Sequence, residues 1–458
     1  MLSGSWWTPE DPEARVPGSL VCVDGRWRLD LIGTLMVNAG GGGLRLAPSQ
    51  TIYGACRGHR YSLQGGHLYD SETPTWGEEQ GGDQSGMTWI ATTLIREGHF
   101  QESHIFNEAS LRMTGLSSWW PSSGLVGRRA SKYIEEYERP DALSIETEDG
   151  FSIRVGVAET GRRGRRIRSL EESIRVWITK ESGFTIEDLD LVVNPMRALV
   201  AIANDAPVEV FDLRLTGPSS RFPFEVRVDP GVGELKDDDF FEGLFNADAF
   251  DMQTFIPAWI SLAQSNVVPM DVAEPRKPEG TLQNRLVHAV AAAETLHRGL
   301  HPEPASTPES ELAVRVAAAM GASESFKVAE INKVRKQLSY TSISLEKRLV
   351  QLANGLGVEV VTWLFGDQVK DWAFAVQSVR NLLSHGFAAD HDVENDTGVL
   401  YVALRLAEAI LRLSLVVAAG GPKGDDLLSL LRRDVGYRAL AAQEMVDWVE
   451  VRKRISSK

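Results

Sequence analysis

The sequence predicts an α+β multidomain protein: a β-rich, sandwich-like N-terminal domain followed by an all-α helical bundle. Three observations predict it. Before residue 250, apolar and polar residues alternate in short runs divided by Gly and Asp turns. After residue 280, apolar residues recur at three- and four-residue spacing. Between them lies a Pro-rich stretch, 268–280, with Pro269, Pro275 and Pro278. A chain of 458 residues, 43% hydrophobic, has core enough for two or three domains. The expected division is 1–250 for the β-rich part, 251–280 for a helix and linker, and 281–458 for the bundle.

Each element has its own signal. Segments 19–23 and 28–35 alternate across Asp24-Gly25, the composition of a tight hairpin turn. The glycine run 40–43 reads as a loop. Segments 52–56 and 61–63 read as strands, followed by a Gly-, Glu- and Asp-rich loop at 71–86 and a strand at 88–95. Further strands are expected at 143–146, 151–157, 173–179, 199–203, 208–215 and 224–228. Trp119 and Trp120 fall between strands and read as core or loop anchors.

Residues 246–265 read as a helix with Phe250, Phe255 and Trp259 apolar and a kink at Pro257. Thr281 is placed to cap a helix running to Arg298, whose apolar face is Leu282, Leu286, Ala289, Ala293 and Leu296. Helices are expected at 309–319, 327–337, 345–352, 358–364 and 371–386. A long apolar one at 398–418 reads as the spine of the bundle, and 425–432 and 443–454 close the chain.

Charge and composition narrow the function. A net charge of −15 argues against a protein that coats nucleic acid non-specifically, but permits a local basic site. Cys22 and Cys56 form neither a disulfide framework nor a zinc spacing. The opening residues lack the basic and apolar regions of a secretory signal, and the longest uncharged apolar stretch, around 413–421, is too short to span a bilayer. A cytoplasmic location without a membrane partner is expected.

No metal and no other cofactor is expected either. Glu294 and His297 form one Glu-x-x-His, with His301 a turn later, but a di-iron bundle needs two such motifs. The acidic residues Asp237, Asp238, Asp239 and Glu242 read as a solvated turn. Neither a phosphate-binding glycine loop nor a Gly-x-Ser-x-Gly elbow is present.

The stretch that carries chemistry is 371–386. Trp372, Val376, Val379 and Leu383 form an apolar stripe at helical spacing. On an ideal helix Arg380 falls beside that stripe, Asn381 and His385 fall opposite, and Gly386 reads as the stop. Arginine and histidine suffice to cut RNA, which carries its own nucleophile in the 2′-hydroxyl. Imidazole can take or give the proton near neutral pH, and a guanidinium fork matches phosphate oxygens. The bland reading is a solvated helix end whose cation complements the helix dipole. A second Arg-x6-His, from Arg60 to His67, sits in a Gly-rich, strand-like region and reads as a chance match. Five arginines in seven residues, Arg162, Arg163, Arg165, Arg166 and Arg168, form a loop that could grip RNA phosphates or simply tip a solvated hairpin balanced by Glu171 and Glu172.

The arrangement Arg380-Asn381-x-x-x-His385 resembles the RNA-cleaving motif of the HEPN superfamily. Trp372, the run Val379-Arg380-Asn381, His385-Gly386 and the later apolar helix look like its ApeA-type branch, found in bacterial anti-phage proteins. The first half resembles the ApeA N-terminal domain. That likeness rests on Trp6-x-x-Pro9, Pro17-Gly18-x-Leu20, Ile52-Tyr53-Gly54, and Gly98-His99-Phe100 ahead of Leu116 and Trp119. The resemblance implies a sensing N-terminal domain and a dimeric helical ribonuclease domain whose two motifs meet at the dimer interface. It makes Arg380, His385 and Asn381 the catalytic candidates, RNA (tRNA among the candidates) the substrate, and a phage-derived signal the trigger, and it offers Glu294 as a polar residue facing the site instead of half of a metal motif. Two other readings stand beside it. One is a non-catalytic HEPN scaffold for dimerisation or ligand binding; the other is a carbohydrate- or protein-binding β module with a helical oligomerisation tail.

Overall fold

The computed structural model describes the whole chain except residues 24–25, 34, 40–42, 47–50, 72–85, 128–133, 164–167, 219–222, 228–242, 276–279, 303–310, 324, 340–342, 386–392, 442–445 and 458. It divides into two compact units, Met1–Ile260 and Ser261–Lys458.

The first unit is built on an antiparallel sheet with one hydrogen-bonded strand order. One half runs Leu143–Glu146, Phe151–Arg163, Arg168–Phe184, Phe106–Met113, Val210–Thr216, Phe224–Arg227 and Thr93–Arg96. It continues through His59–Gln64, Ile52–Cys56, Leu2–Thr8, Asp11–Val23, Arg26–Ile32, Gly86–Ala91 and His67–Ser71. The expected first hairpin forms, with Val23 opposite Arg26; its turn, Asp24-Gly25, lies outside the described residues. Residues 40–42 of the glycine run and most of the 71–86 loop also lie outside them, whereas Gly43 opens a strand, Gly43–Leu46, that pairs with Met36–Ala39.

One core of this unit gathers Trp6, Leu20, Trp27, Leu29, Ile52, Leu63 and Trp89. Trp6 is fully buried, and its indole donates to the Gly18 carbonyl at 3.3 Å. A Cβ at Gly54 would fall inside contact distance of its ring, and one at Gly18 would lie 3.1 Å from it. Glycine at 54 is thus a steric consequence of where the indole lies, while at Gly18 the Leu31 side chain at 2.8 Å and the Asp30 carbonyl at 2.9 Å are nearer still.

Two expectations for this unit need correcting. Residues 199–203 are not a strand; they end a helix, Ile186–Asn204. Its start is written in a capping box: Thr185 Oγ1 accepts from the Asp188 N–H at 3.1 Å, and Asp188 Oδ2 accepts from the Thr185 N–H at 2.9 Å. Leu189, Val192, Val193, Met196, Leu199 and Val200 are all buried, so the apolar run serves a helical rather than an alternating period. Segment 88–95 is likewise not one strand. It breaks at Thr92 into Gly86–Ala91 and Thr93–Arg96, which pair with different neighbours.

The second unit is helical. The expected linker holds a helix, Val267–Ala273, with Pro269 in its first turn, where a missing N–H costs nothing. Thr281 caps the entry helix, Leu282–Leu300, by accepting from the Asn284 N–H. The helices Glu311–Gly321, Val328–Ser339, Leu345–Gly355 and Val358–Phe365 follow. Next come the motif helix, Val369–His385, and the spine helix, Thr397–Ala418. Asp425–Leu431, Val435–Ala441 and Trp448–Ser456 complete the unit. The single helix expected at 443–454 starts only at Trp448, because Asp447 accepts from the Val449 and Glu450 N–H groups and caps it there. The entry, Leu345–Gly355, motif and spine helices form the centre of this unit. Among the described residues no helix is long and apolar enough to cross a membrane.

Candidate functional site

The motif helix is fixed along its length. Trp372, Ala373, Ala375, Val376 and Val379 are buried, while Leu383 is half-buried as the stripe reaches the helix end. Asp371 pairs with Arg452 of the last helix at 2.9 Å. The Gln368 side-chain carbonyl accepts from the Trp448 N–H at 2.7 Å. Gln377 Oε1 accepts from the Glu346 N–H at 2.9 Å, supplying a partner for the exposed start of the neighbouring helix.

Arg380 emerges beside the stripe as the spacing required, 27% exposed at its side chain. Its Nη1 donates to Asn381 Oδ1 at 3.3 Å, and its Nη2 lies 3.8 Å from Glu294 Oε2 on the entry helix. Its buried Nε has no hydrogen-bond partner among the described residues. The guanidinium is therefore oriented but not saturated. His385 is the last residue of the helix, five positions on from Arg380. Its side chain, and the expected stop at Gly386, lie outside the described residues.

Glu294 and His297 have separate partners. Glu294 Oε1 accepts from Arg298 Nη2 at 2.6 Å, which leaves Oε2 towards Arg380. His297 is fully buried. Its Nε2 lies 2.7 Å from Gln351 Oε1 and its Nδ1 3.3 Å from Arg348 Nη1. Gln351 Oε1 is an acceptor and Arg348 a donor, so the ring is the neutral Nε2–H tautomer. It is also too deep to meet a substrate. The His301 ring packs on it at 4.8 Å. Among the described residues there is no group of three or more His, Cys, Asp or Glu placed for a metal. Arg348, itself buried, was invisible to the sequence reading; the only cue was its place at Leu345 and Leu349 in an apolar turn.

The other sequence candidates belong to the sheet unit. Arg60 and His67 sit in the strands His59–Gln64 and His67–Ser71, so no helix joins them. Arg162 and Arg163 end one strand of a long hairpin in which Arg163 faces Arg168. The side chains of Arg162 and Arg163, and all of Arg165 and Arg166, lie outside the described residues, as does the 237–242 acidic run.

Sequence reasoning missed a cavity of about 770 Å³ in the same unit, lined among others by Tyr53, His99, Phe100, Gln101, His104 and Phe224. The His99 ring stacks on Tyr53 at 4.8 Å, and its Nε2 donates to the Gly54 carbonyl at 3.1 Å. Burial pushes the His104 imidazole below its ordinary value, so it is neutral near pH 7. Burial, helped by Glu10, raises the Tyr53 phenol. The runs Tyr53-Gly54 and Gly98-His99-Phe100, far apart in sequence, meet at this cavity.

Comparison with known families gives two matches. Residues 1–259 match the family model described as ApeA N-terminal domain 1, and residues 287–425 match Apea-like HEPN. The chain belongs to the ApeA family. The resemblance read from Trp6, Gly18, Gly54 and the motif helix is thereby confirmed. The HEPN match encloses Glu294, Arg380, Asn381 and His385. An ApeA-family chain is an anti-phage HEPN protein, and HEPN domains are generally of ribonuclease type, bind RNA and dimerise. No curated protein and no solved structure matches the chain.

Proposed function

We propose that this ApeA-family protein is a metal-independent endoribonuclease of anti-phage defence, with Arg380, His385 and Asn381 as its catalytic set. The observation that carries the proposal is Arg380: a partly exposed, incompletely satisfied guanidinium on a rigidly held helix, one and a half turns from a histidine, inside an Apea-like HEPN segment. Five residues of helix put about 7.5 Å of rise and about 140° of rotation between Arg380 and His385, so a cleft shared by the motifs of two copies, rather than one motif alone, encloses the phosphate.

The reaction follows from RNA's own structure. His385 takes the proton of the 2′-hydroxyl, the 2′-oxygen attacks phosphorus, and the P–O5′ bond breaks. The leaving 5′-oxygen receives a proton from an imidazolium. With two copies meeting at the motif helix, the two His385 rings divide the base and acid roles. Arg380 holds the phosphate oxygens as charge builds on them, and Asn381 orients Arg380 or the phosphate by hydrogen bond. The products end in a 2′,3′-cyclic phosphate and a 5′-hydroxyl. In this reading the β-rich part, 1–250, senses the infection, 251–280 connects, and the bundle, 281–458, dimerises and cuts cytoplasmic RNA, tRNA among the substrates. The arginines Arg162, Arg163, Arg165 and Arg166 serve as an auxiliary RNA contact.

Survival tests it. Wild type, Arg380→Ala and His385→Ala are expressed at equal level in bacteria and challenged with a phage panel while total RNA is profiled. Removing the acid–base group should lower cleavage by about 10²–10⁴-fold and removing the phosphate ligand by about 10²–10³-fold. Both variants should lose protection, and cleavage by the activated protein should persist in excess chelator. Protection that persists in both variants would remove the Arg/His motif from the mechanism and put the non-catalytic HEPN scaffold first.

A further inference from the structure

We propose that Glu294 is an internal competitor for the phosphate at Arg380: RNA must displace its carboxylate to bind, so Glu294 sets the substrate affinity of the site. This rests on the ribonuclease reading above and goes beyond it, because no part of the motif contains Glu294.

The geometry of three side chains carries it. Glu294 is largely buried, at 19% exposure, between Arg298 on its own helix and Arg380 on the motif helix. A carboxylate and a phosphate present the same feature to a guanidinium, two oxygens that match its fork, so they compete for the same donors. The two contacts are unequal. Arg298 holds Oε1 at 2.6 Å, while Arg380 approaches Oε2 only to 3.8 Å. Arg298 thus keeps the carboxylate in place, and the looser Arg380 contact is the one an incoming anion can break. The contact of Arg380 to Asn381 Oδ1, at 3.3 Å, is also long.

One carboxylate between two guanidinium groups leaves a single positive charge for a phosphate. Glu294→Gln leaves two and removes the competitor. Arg298→Ala leaves none and frees Glu294 to close on Arg380. The two substitutions should therefore move RNA affinity in opposite directions. A purely structural role for the Glu294–Arg298 pair would move both the same way, since either change breaks the same bridge.

The test uses the purified full-length protein and a fluorescently labelled single-stranded RNA oligonucleotide, with binding read by anisotropy at low salt. Helix content by circular dichroism serves as a folding control; Gln is nearly isosteric with Glu, and Arg298 is 61% exposed. A partly exposed ion pair is worth about 1 kcal/mol, so Glu294→Gln should bind RNA about fivefold more tightly and Arg298→Ala about fivefold less tightly than wild type. Arg380→Ala should bind most weakly, and adding Glu294→Gln to it should recover nothing. If Glu294→Gln binds equally or more weakly while Arg380→Ala is impaired, this inference is overturned and the ribonuclease reading survives. If Arg380→Ala binds RNA as wild type does, Arg380 is no phosphate ligand, and both fall together.

Discussion

The two units solve one problem with different chemistry. Each contains backbone carbonyls that its helices or strands leave without a partner, and each satisfies them from a buried side chain. In the sheet unit the donors are neutral. Ser62 Oγ donates to the Gly98 carbonyl at 3.0 Å while accepting from the Phe100 N–H at 2.8 Å, and Gln64 Nε2 donates to the Phe100 carbonyl at 2.8 Å. In the helical unit the two most deeply buried donors are cations. Arg348 Nε donates to the Ile343 carbonyl at 3.1 Å, and Arg412 Nε to the Ala273 carbonyl at 2.8 Å. The sheet unit fixes its aromatic cavity mainly by shape, with rings laid against glycines. The helical unit fixes its functional surface by directional charge, which resists small changes of volume but not loss of a donor.

The largest effect should come from breaking shape in the sheet unit. Gly54→Val puts two methyl groups where the Trp6 indole already lies, and that indole has no free volume to enter. Overpacking of this kind costs about 3 kcal/mol or more. Hydrogen exchange of the full chain should show lost protection in Leu2–Thr8, Asp11–Val23 and Ile52–Cys56, with the helices after residue 281 unchanged. Retained protection would mean that the indole has an alternative seat, and that shape is not what fixes this unit.

A smaller loss should follow from removing a cation in the helical unit. Arg348→Met keeps volume but takes donors away from His297 Nδ1 and the Ile343 carbonyl. Leaving such groups unsatisfied costs about 1–3 kcal/mol each, against which the relief of burying a guanidinium must be set, so a net loss of about 2 kcal/mol is expected. Urea unfolding monitored on this unit should show it. A neutral or stabilising outcome would erase the contrast, because it would make the buried cation dispensable and packing sufficient in both units.

How far this was legible in the sequence differs between the same two regions. The motif helix was readable because Trp372, Val376 and Val379 obey one period, although it starts at Val369 rather than at 371. Arg380 then had to fall beside the stripe. The entry helix was equally clear from Thr281 onwards. Glu294, however, was legible only as half of a metal motif or, through the HEPN resemblance, as a polar residue facing the site; its contact with Arg380 depends on how two helices pack, 86 positions apart in sequence. The helix Ile186–Asn204 was missed because an apolar run such as 199–203 satisfies either period, and the capping box that opens at Thr185, fourteen residues before Leu199, was the deciding signal. The cavity could not be read at all. Tyr53, His99 and Phe224 look like ordinary strand and loop residues until strand order brings them together.

The finest probe of the contrast is pH, because the neutral unit should be the one that resents an added charge. His104 packs its ring against Phe100 at 4.5 Å and Phe106 at 4.8 Å, and burial holds its folded-state pKa below the ordinary value of 6.5. As pH falls through 6.5 the unfolded chain takes up a proton that the folded chain does not. The unfolded state then binds more protons, so the sheet unit loses stability on acidification until the folded-state pKa is also passed, below which no further loss comes from this group. His104→Phe keeps a ring in the cluster and removes the proton. Thermal unfolding of wild type and variant at stepped pH from 8 to 5 should give curves that run together above pH 7 and separate below it, with the variant losing less. This should be the smallest of the three effects, since a single half-buried imidazole carries it. Curves that stay parallel throughout would mean that the protonated ring is accommodated, and that the aromatic cluster tolerates a charge the way the helical unit does.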